Sequence, residues 1–138
     1  MSTDESQSSS PEYQALGRRA QRVFQVTFSD QSMSEMNELP IDEQLKLVDR
    51  ISSITSDQLK EPTGALTVFH RDGGTFYRVR VGELRCYFEI RGDVLFSHYI
   101  LHKNTLTDFI YRNKLPVKEE TMVEQEGSFW KYLESLRK

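Results

Sequence analysis

The sequence predicts an α+β protein: a small twisted antiparallel sheet with a helical hairpin packed on one face. Two observations carry the prediction. Four runs, ALTVFHR (65–71), TFYRVRV (75–81), LRCYFEI (84–90) and VLFSHYIL (94–101), follow one another across short Gly-containing turns, as the strands of a meander do. Ahead of them, apolar residues recur at helical spacing between Met33 and Ile54, interrupted by Pro40. A helical hairpin and a meander bury their apolar faces by packing on each other.

Taken in order, residues 1–10 have no apolar side chain after Met1, so nothing offsets the entropy of ordering them. Ser10 and Pro11 suit an N-cap and a first helical position, and predict a short helix to about Gln21. Residues 1–20 are therefore expected to be a disordered or weakly helical extension. Phe24, Val26 and Phe28 alternate with polar residues and predict a half-buried strand. Ser29 or Asp30 then caps a helix with Met33, Met36 and Leu39 inward. Pro40 ends it and opens a second helix. Its expected apolar stripe is Ile41, Leu45, Val48 and Ile51, widened by Leu47 and Ile54. Lys60–Gly64 reads as a loop before the meander. NTLTDFIYRN predicts a short helix with Leu106, Phe109 and Ile110 inward. LPVKEETMVEQEG reads as a polar connector, after which Ser128 caps a last helix carrying Phe129, Trp130, Leu133 and Leu136. The expected organisation is a domain over 21–114 and a C-terminal appendage over 115–138.

The net charge of −3 does not mark a nucleic-acid binder. It is unevenly spread: the first 17 residues hold Asp4, Glu5 and Glu12 and no base, whereas residues 18–114 hold 14 Lys and Arg against 13 Asp and Glu. The single cysteine, Cys86, allows no internal disulfide. No apolar run approaches the ~18 residues needed to span a membrane. These features predict a cytoplasmic protein.

The segment YRVRVGELRCYFEI (77–90) raises a sharper question. Folding it around a two-residue Gly82-Glu83 turn places Arg80 opposite Arg85 and Arg78 opposite Tyr87. Val79 and Cys86 then face the helices, and three arginines share the other face. Like charges directly opposite on a sheet are destabilising. Glu89, two residues from Arg85, offers partial relief. Two readings follow: an anion-binding face, since guanidinium forks match phosphate oxygens, or a solvated face that keeps the sheet soluble.

The other chemistry-bearing residues are sparse. His70, His98 and His102 lack metal-ligand spacing within one element, and no metal or cofactor is expected. His98 reads as a buried, hydrogen-bonded core residue and His70 as exposed. His102 suits either a strand-end structural role or a proton-transfer role. Cys86 reads as packing. Phe129 and Trp130 want burial. They either dock on this domain or form a partner or homodimer surface.

At YRVRVGELRCYFEI the chain resembles the RelE/ParE superfamily of bacterial type II toxins, where a Tyr-Arg-basic strand, a Gly turn and an Arg-aromatic strand recur. FSDQSMSEMNELPIDEQLKLVDRI resembles that family's strand and helical hairpin, and HKNTLTDFIYR its closing segment. The resemblance spans about residues 23–112. It implies a toxin of a toxin–antitoxin system, held by a cognate antitoxin and acting on mRNA at the ribosome as a metal-independent endonuclease that represses translation. The alternative it implies is a non-catalytic module of the same fold that binds gyrase or an antitoxin-like protein. It maps Arg85, Lys103, Tyr111 and His102 to catalytic positions and Arg78, Arg80 and Tyr87 to RNA binding. The near-neutral core departs from the strong basic charge of the mRNA-cleaving members.

Overall fold

The computed structural model describes residues 23–115 and 119–136. The extension predicted for residues 1–20, with its helix from Pro11, lies outside them. Five strands form one sheet: β1 (Gln25–Phe28), β2 (Leu66–Arg71), β3 (Gly74–Val81), β4 (Leu84–Arg91) and β5 (Val94–His102). Their order across the sheet is β1-β5-β4-β3-β2. The meander β2 to β5 is antiparallel, as expected. β1 joins it in parallel alongside β5, which makes the sheet mixed. The intervening helices and meander supply the long crossover that parallel pairing requires.

The hairpin register is the one the sequence predicts: Val81 opposite Leu84, Arg80 opposite Arg85, Val79 opposite Cys86, Arg78 opposite Tyr87. Gly82 has φ +60°, while Glu83 is not in the positive-φ region, the pattern of a type II′ turn. The β2–β3 turn has positive φ at both Asp72 and Gly73, the type I′ pattern.

On one face lie α1 (Asp30–Asn37), α2 (Ile41–Ser52) and α3 (Ser56–Lys60). Ser29 caps α1 by accepting from the Ser32 amide. The α3 turn, which the sequence reading leaves unassigned, has a full capping box between Thr55 and Gln58. This face buries Met36, Leu47, Ile51, Ile54, Val79, Cys86, Phe88, Leu95 and Ile100. Cys86 packs as expected, and burial pushes its thiol up to about 12. The α2 stripe is narrower than predicted. Ile41 and Leu45 are exposed, at 70% and 63%, and so is Met33 on α1. Leu45 lies two residues, roughly 200° of helix, from the buried Leu47.

The second face is also covered, by α4 (Lys103–Arg112), α5 (Glu120–Val123) and α6 (Gly127–Ser135). Phe69, Tyr87, Tyr99 and Leu101 of the sheet pack there against Leu106, Phe109, Val123, Phe129, Trp130 and Leu133. Phe129 and Trp130 thus dock on their own sheet. Ser128 does not cap α6; Glu126 occupies that position without a side-chain bond. A β-bulge between β4 and β5 at Tyr87/Phe88 resets the alternation of β5. His98 and Tyr99 therefore both contribute to this side.

Beyond Ser97, β5 has no strand on its outer side, and α1 satisfies its edge instead. The Ser29 amide and hydroxyl donate to the Ser97 and His98 carbonyls at 2.9 and 2.6 Å. The Gln31 carboxamide donates to the Ile100 carbonyl at 3.0 Å and accepts from the Ile100 amide at 2.9 Å. Gln31→Ala strands both backbone groups, and we expect it to lower stability by about 2 kcal/mol, read as a lower urea midpoint at unchanged slope.

Candidate functional site

The arginine face forms as predicted, but its guanidiniums are not in solvent. Arg78 and Arg85 are 1% and 5% exposed, and Tyr87 is fully buried beside them. The counter-ions are Glu120 and Glu124, one helical turn apart at α5. Every guanidinium nitrogen of Arg85 has a partner. Its Nε and Nη2 donate to the two Glu120 carboxylate oxygens at 2.6 and 3.0 Å. Its Nη1 donates to the Gly82 and Leu84 carbonyls, each at 3.0 Å. This is a bidentate fork of the kind guanidinium makes with carboxylate or phosphate.

Arg78 is held less well. Its Nη2 donates to Thr67 Oγ1 at 2.6 Å, while its Nε stands 3.7 Å from Glu124 Oε2. Arg78 Nε and Nη1 and Glu124 Oε1 are buried without hydrogen bonds. Glu124 itself accepts from the Tyr87 hydroxyl through Oε2, and its backbone carbonyl accepts from Trp130 Nε1 at 2.7 Å.

The two carboxylates titrate in opposite senses. The Arg85 hydrogen bond holds Glu120 below the usual carboxylate range. Burial pushes Glu124 above it, against the pull of Arg78 and Tyr87. Burial likewise lowers the Arg78 guanidinium and raises the Tyr87 hydroxyl.

Glu89 does not relieve Arg85. It accepts from Arg91 at 3.1 Å and is bonded to His98 Nε2 at 2.9 Å. His98 is thus the buried, bonded histidine expected, and His70 is exposed.

The remaining candidates lie toward the Gly82-Glu83 end of the sheet or beyond it. Arg80 is exposed, with Nη2 donating to the Gly64 carbonyl at 3.3 Å. Lys103 opens α4, its Nζ 3.4 Å from Glu83 Oε2. His102 caps α4: its Nδ1 accepts from the Asn104 amide at 3.1 Å, which leaves Nε2 to carry the proton of the neutral ring. Tyr111 is 82% exposed, eight residues and ~12 Å along α4 from Lys103. The fold therefore brings Arg78, Arg85 and Tyr87 together in a dry cluster and sets Arg80, His102 and Lys103 at one sheet end. Tyr111 stands apart from both groups.

Glu120 and Glu124 are the residues missed by the sequence reading, which took their segment for a connector. Their signal was the four-residue spacing in EETMVE, close to that of facing arginines on adjacent strands.

The fold and face together define a small α+β protein with an internally neutralised arginine cluster. No family model and no curated protein sequence matches the chain. Among solved structures, it is similar to a chain of the toxin–antitoxin complex RelBE2 from Mycobacterium tuberculosis, at 17% identity and a TM-score of 0.44, covering 58% of this chain and 98% of that one. It is similar to a chain of the archaeal RelE-RelB complex from Pyrococcus horikoshii OT3, at 15% identity and a TM-score of 0.47, covering 59% and 96%. A chain of the RelB-RelE antitoxin-toxin complex from Methanococcus jannaschii is similar at 21% identity and a TM-score of 0.37, covering 59% and 95%. No helix among the described residues is long and apolar enough to cross a membrane.

The depressed Glu120 carboxyl gives a signed prediction. Its unfolded form binds protons more readily than the folded one, so its contribution is present above about pH 4 and lost as pH falls through the lower folded value. Glu124 has the opposite sign and limits this acid loss. Glu120→Gln should cost about 2 kcal/mol at pH 7, and the gap to wild type should shrink on acidification, as followed by urea titration at pH 7 and pH 3.

Proposed function

We propose that the chain is a RelE/ParE-type toxin of a toxin–antitoxin pair, with the arginine face as its RNA-phosphate site and mRNA on the ribosome as its substrate. One observation carries this reading: Arg85 already holds an oxyanion in a two-point fork. An arginine so placed recognises a planar carboxylate or two phosphate oxygens by the same geometry.

In this reading the 2′-oxygen of a nucleotide attacks the adjacent phosphorus and the bond to the 5′-oxygen breaks, leaving a 2′,3′-cyclic phosphate and a 5′-hydroxyl. Arg78, Arg80, Arg85 and Lys103 stabilise charge on the phosphoryl oxygens. The proton leaving the 2′-hydroxyl goes to the His102 imidazole, and the imidazolium returns it through water to the departing 5′-oxygen; Tyr111, a neutral phenol set apart on α4, takes neither step. His102 takes a proton at Nδ1 only when the Asn104 amide gives up that nitrogen. Tyr87 reaches a base only when Glu124 leaves it. A cognate antitoxin protein is the partner.

A second reading, a non-catalytic interaction module of the same fold, has an observation of its own: Tyr87 is buried, His102 is engaged as a cap and Tyr111 is distant. Expression of the wild-type chain in a bacterial host should slow growth and cut translated mRNA, with Arg85→Ala lowering cleavage about 100-fold. Intact mRNA with wild-type expression overturns the nuclease reading. A pull-down that then recovers no protein partner removes the second reading too.

A further inference from the structure

α5 stands where an RNA ligand of the proposed site would bind. Arg78 and Arg85 are diagonal neighbours on adjacent strands, ~7–8 Å apart along the face. Glu120 and Glu124 are one helical turn apart, with Cβ atoms ~5–6 Å from each other. The two carboxylates therefore meet the two arginines at a separation of the order of one nucleotide step. We propose that α5 is a built-in occupant of the RNA site. Glu120 and Glu124 hold the places of two successive phosphates of single-stranded RNA, and RNA enters as the 119–126 arm swings away while α6 stays seated. The proposal rests on the reading of the arginine face as an RNA-phosphate site.

Three features separate the arm from its anchor. α6 is fixed by Phe129 and Leu133, both fully buried, and by Trp130. Each such side chain contributes about 1.5–3 kcal/mol of burial. α5 is a single turn of four residues with no side-chain N-cap, and Val123 is its one buried apolar side chain. The third feature lies at the arginines themselves. Arg78 is 99% buried, yet its Nε and Nη1 donors find no acceptor beside Glu124. A carboxylate offers two oxygens, one of which here is taken by Tyr87. A phosphate offers more acceptor oxygens and more charge, so the cluster is better satisfied by the ligand than by the occupant.

The two parts also divide the energetics. The apolar anchor keeps the aromatic side of the sheet covered when the arm moves. An incoming polyanion can replace the arm's bonds from Arg85 to Glu120 and from Tyr87 to Glu124, and the swing also breaks the Trp130 bond to the Glu124 carbonyl and unseats Val123.

The test is the affinity of the purified full-length chain for a short single-stranded RNA, followed by fluorescence anisotropy, with Trp130 emission as the check on folding. Glu120→Gln frees the Arg85 fork and should bind about tenfold more tightly than wild type. Glu120→Gln combined with Arg85→Ala should lose that gain. If Glu120→Gln does not fold, Glu120→Asp, one methylene shorter, carries the same test with a smaller gain. Wild type and Glu120→Gln binding equally, both through Arg85, overturns the occupant proposal and leaves the phosphate site standing. Absence of binding in every folded variant overturns the phosphate site, and the occupant proposal with it.

Discussion

Two guanidiniums sit on a sheet face that the fold keeps dry, and the rest of this side of the molecule is arranged around them. Burying an arginine without a counter-charge costs several kcal/mol, more than any one contact returns. The chain meets that constraint by bringing an acidic turn, Glu120 to Glu124, over the strands that carry Arg78 and Arg85. Once the turn is there, Val123, Phe129, Trp130 and Leu133 close over Phe69, Tyr87, Tyr99 and Leu101. The pairs themselves contribute little net stability, because desolvation offsets the Coulomb attraction. The aromatic packing stabilises the layer, and the ion pairs fix where the α5 turn sits over the strands.

The sheet has a matching problem at its opposite margin. β1 is short and leaves the distal half of β5 with open backbone groups. α1 closes them with side chains, Ser29 on the Ser97 and His98 carbonyls and Gln31 on both groups of Ile100. The helical hairpin therefore does more than cover an apolar face. It also protects an edge that would otherwise template pairing with another chain.

What the sequence discloses follows from the range of each determinant. The hairpin register is local: a two-residue turn with Gly first, flanked by strict alternation, leaves one solution, and the structure adopts it. The helix breaks at Ser29 and Pro40 are local too. The α5 turn is not, because four residues carry no readable period, and Glu120 gains meaning only from Arg85, thirty-five residues upstream. The bulge at Tyr87/Phe88 hid in the same way. VLFSHYIL reads as one alternating strand, yet His98 and Tyr99 both serve the aromatic side, a shift of parity that only the partner strand specifies. Ile41 and Leu45 failed for a different reason: a six-residue apolar set covers most of a helix circumference, and the core takes the arc centred on Leu47, Ile51 and Ile54. For the site, the arginines were legible and their state was not, since charge pattern reveals a need for counter-charge without saying which part of the chain supplies it.

That distinction bears on how the near-neutral core is to be understood. A basic face open to solvent draws polyanions over a distance of about one Debye length, and its affinity falls steeply with salt. A face whose charges are already paired has almost no such field. Of the candidate cations, Arg80 and Lys103 at the sheet end remain partly open, and Lys103 faces Glu83. Encounter with any anion then depends on short-range exchange at the two carboxylates rather than on steering. The arginines still choose oxyanions, because the fork geometry is intact. They do so only for a ligand already delivered to the surface.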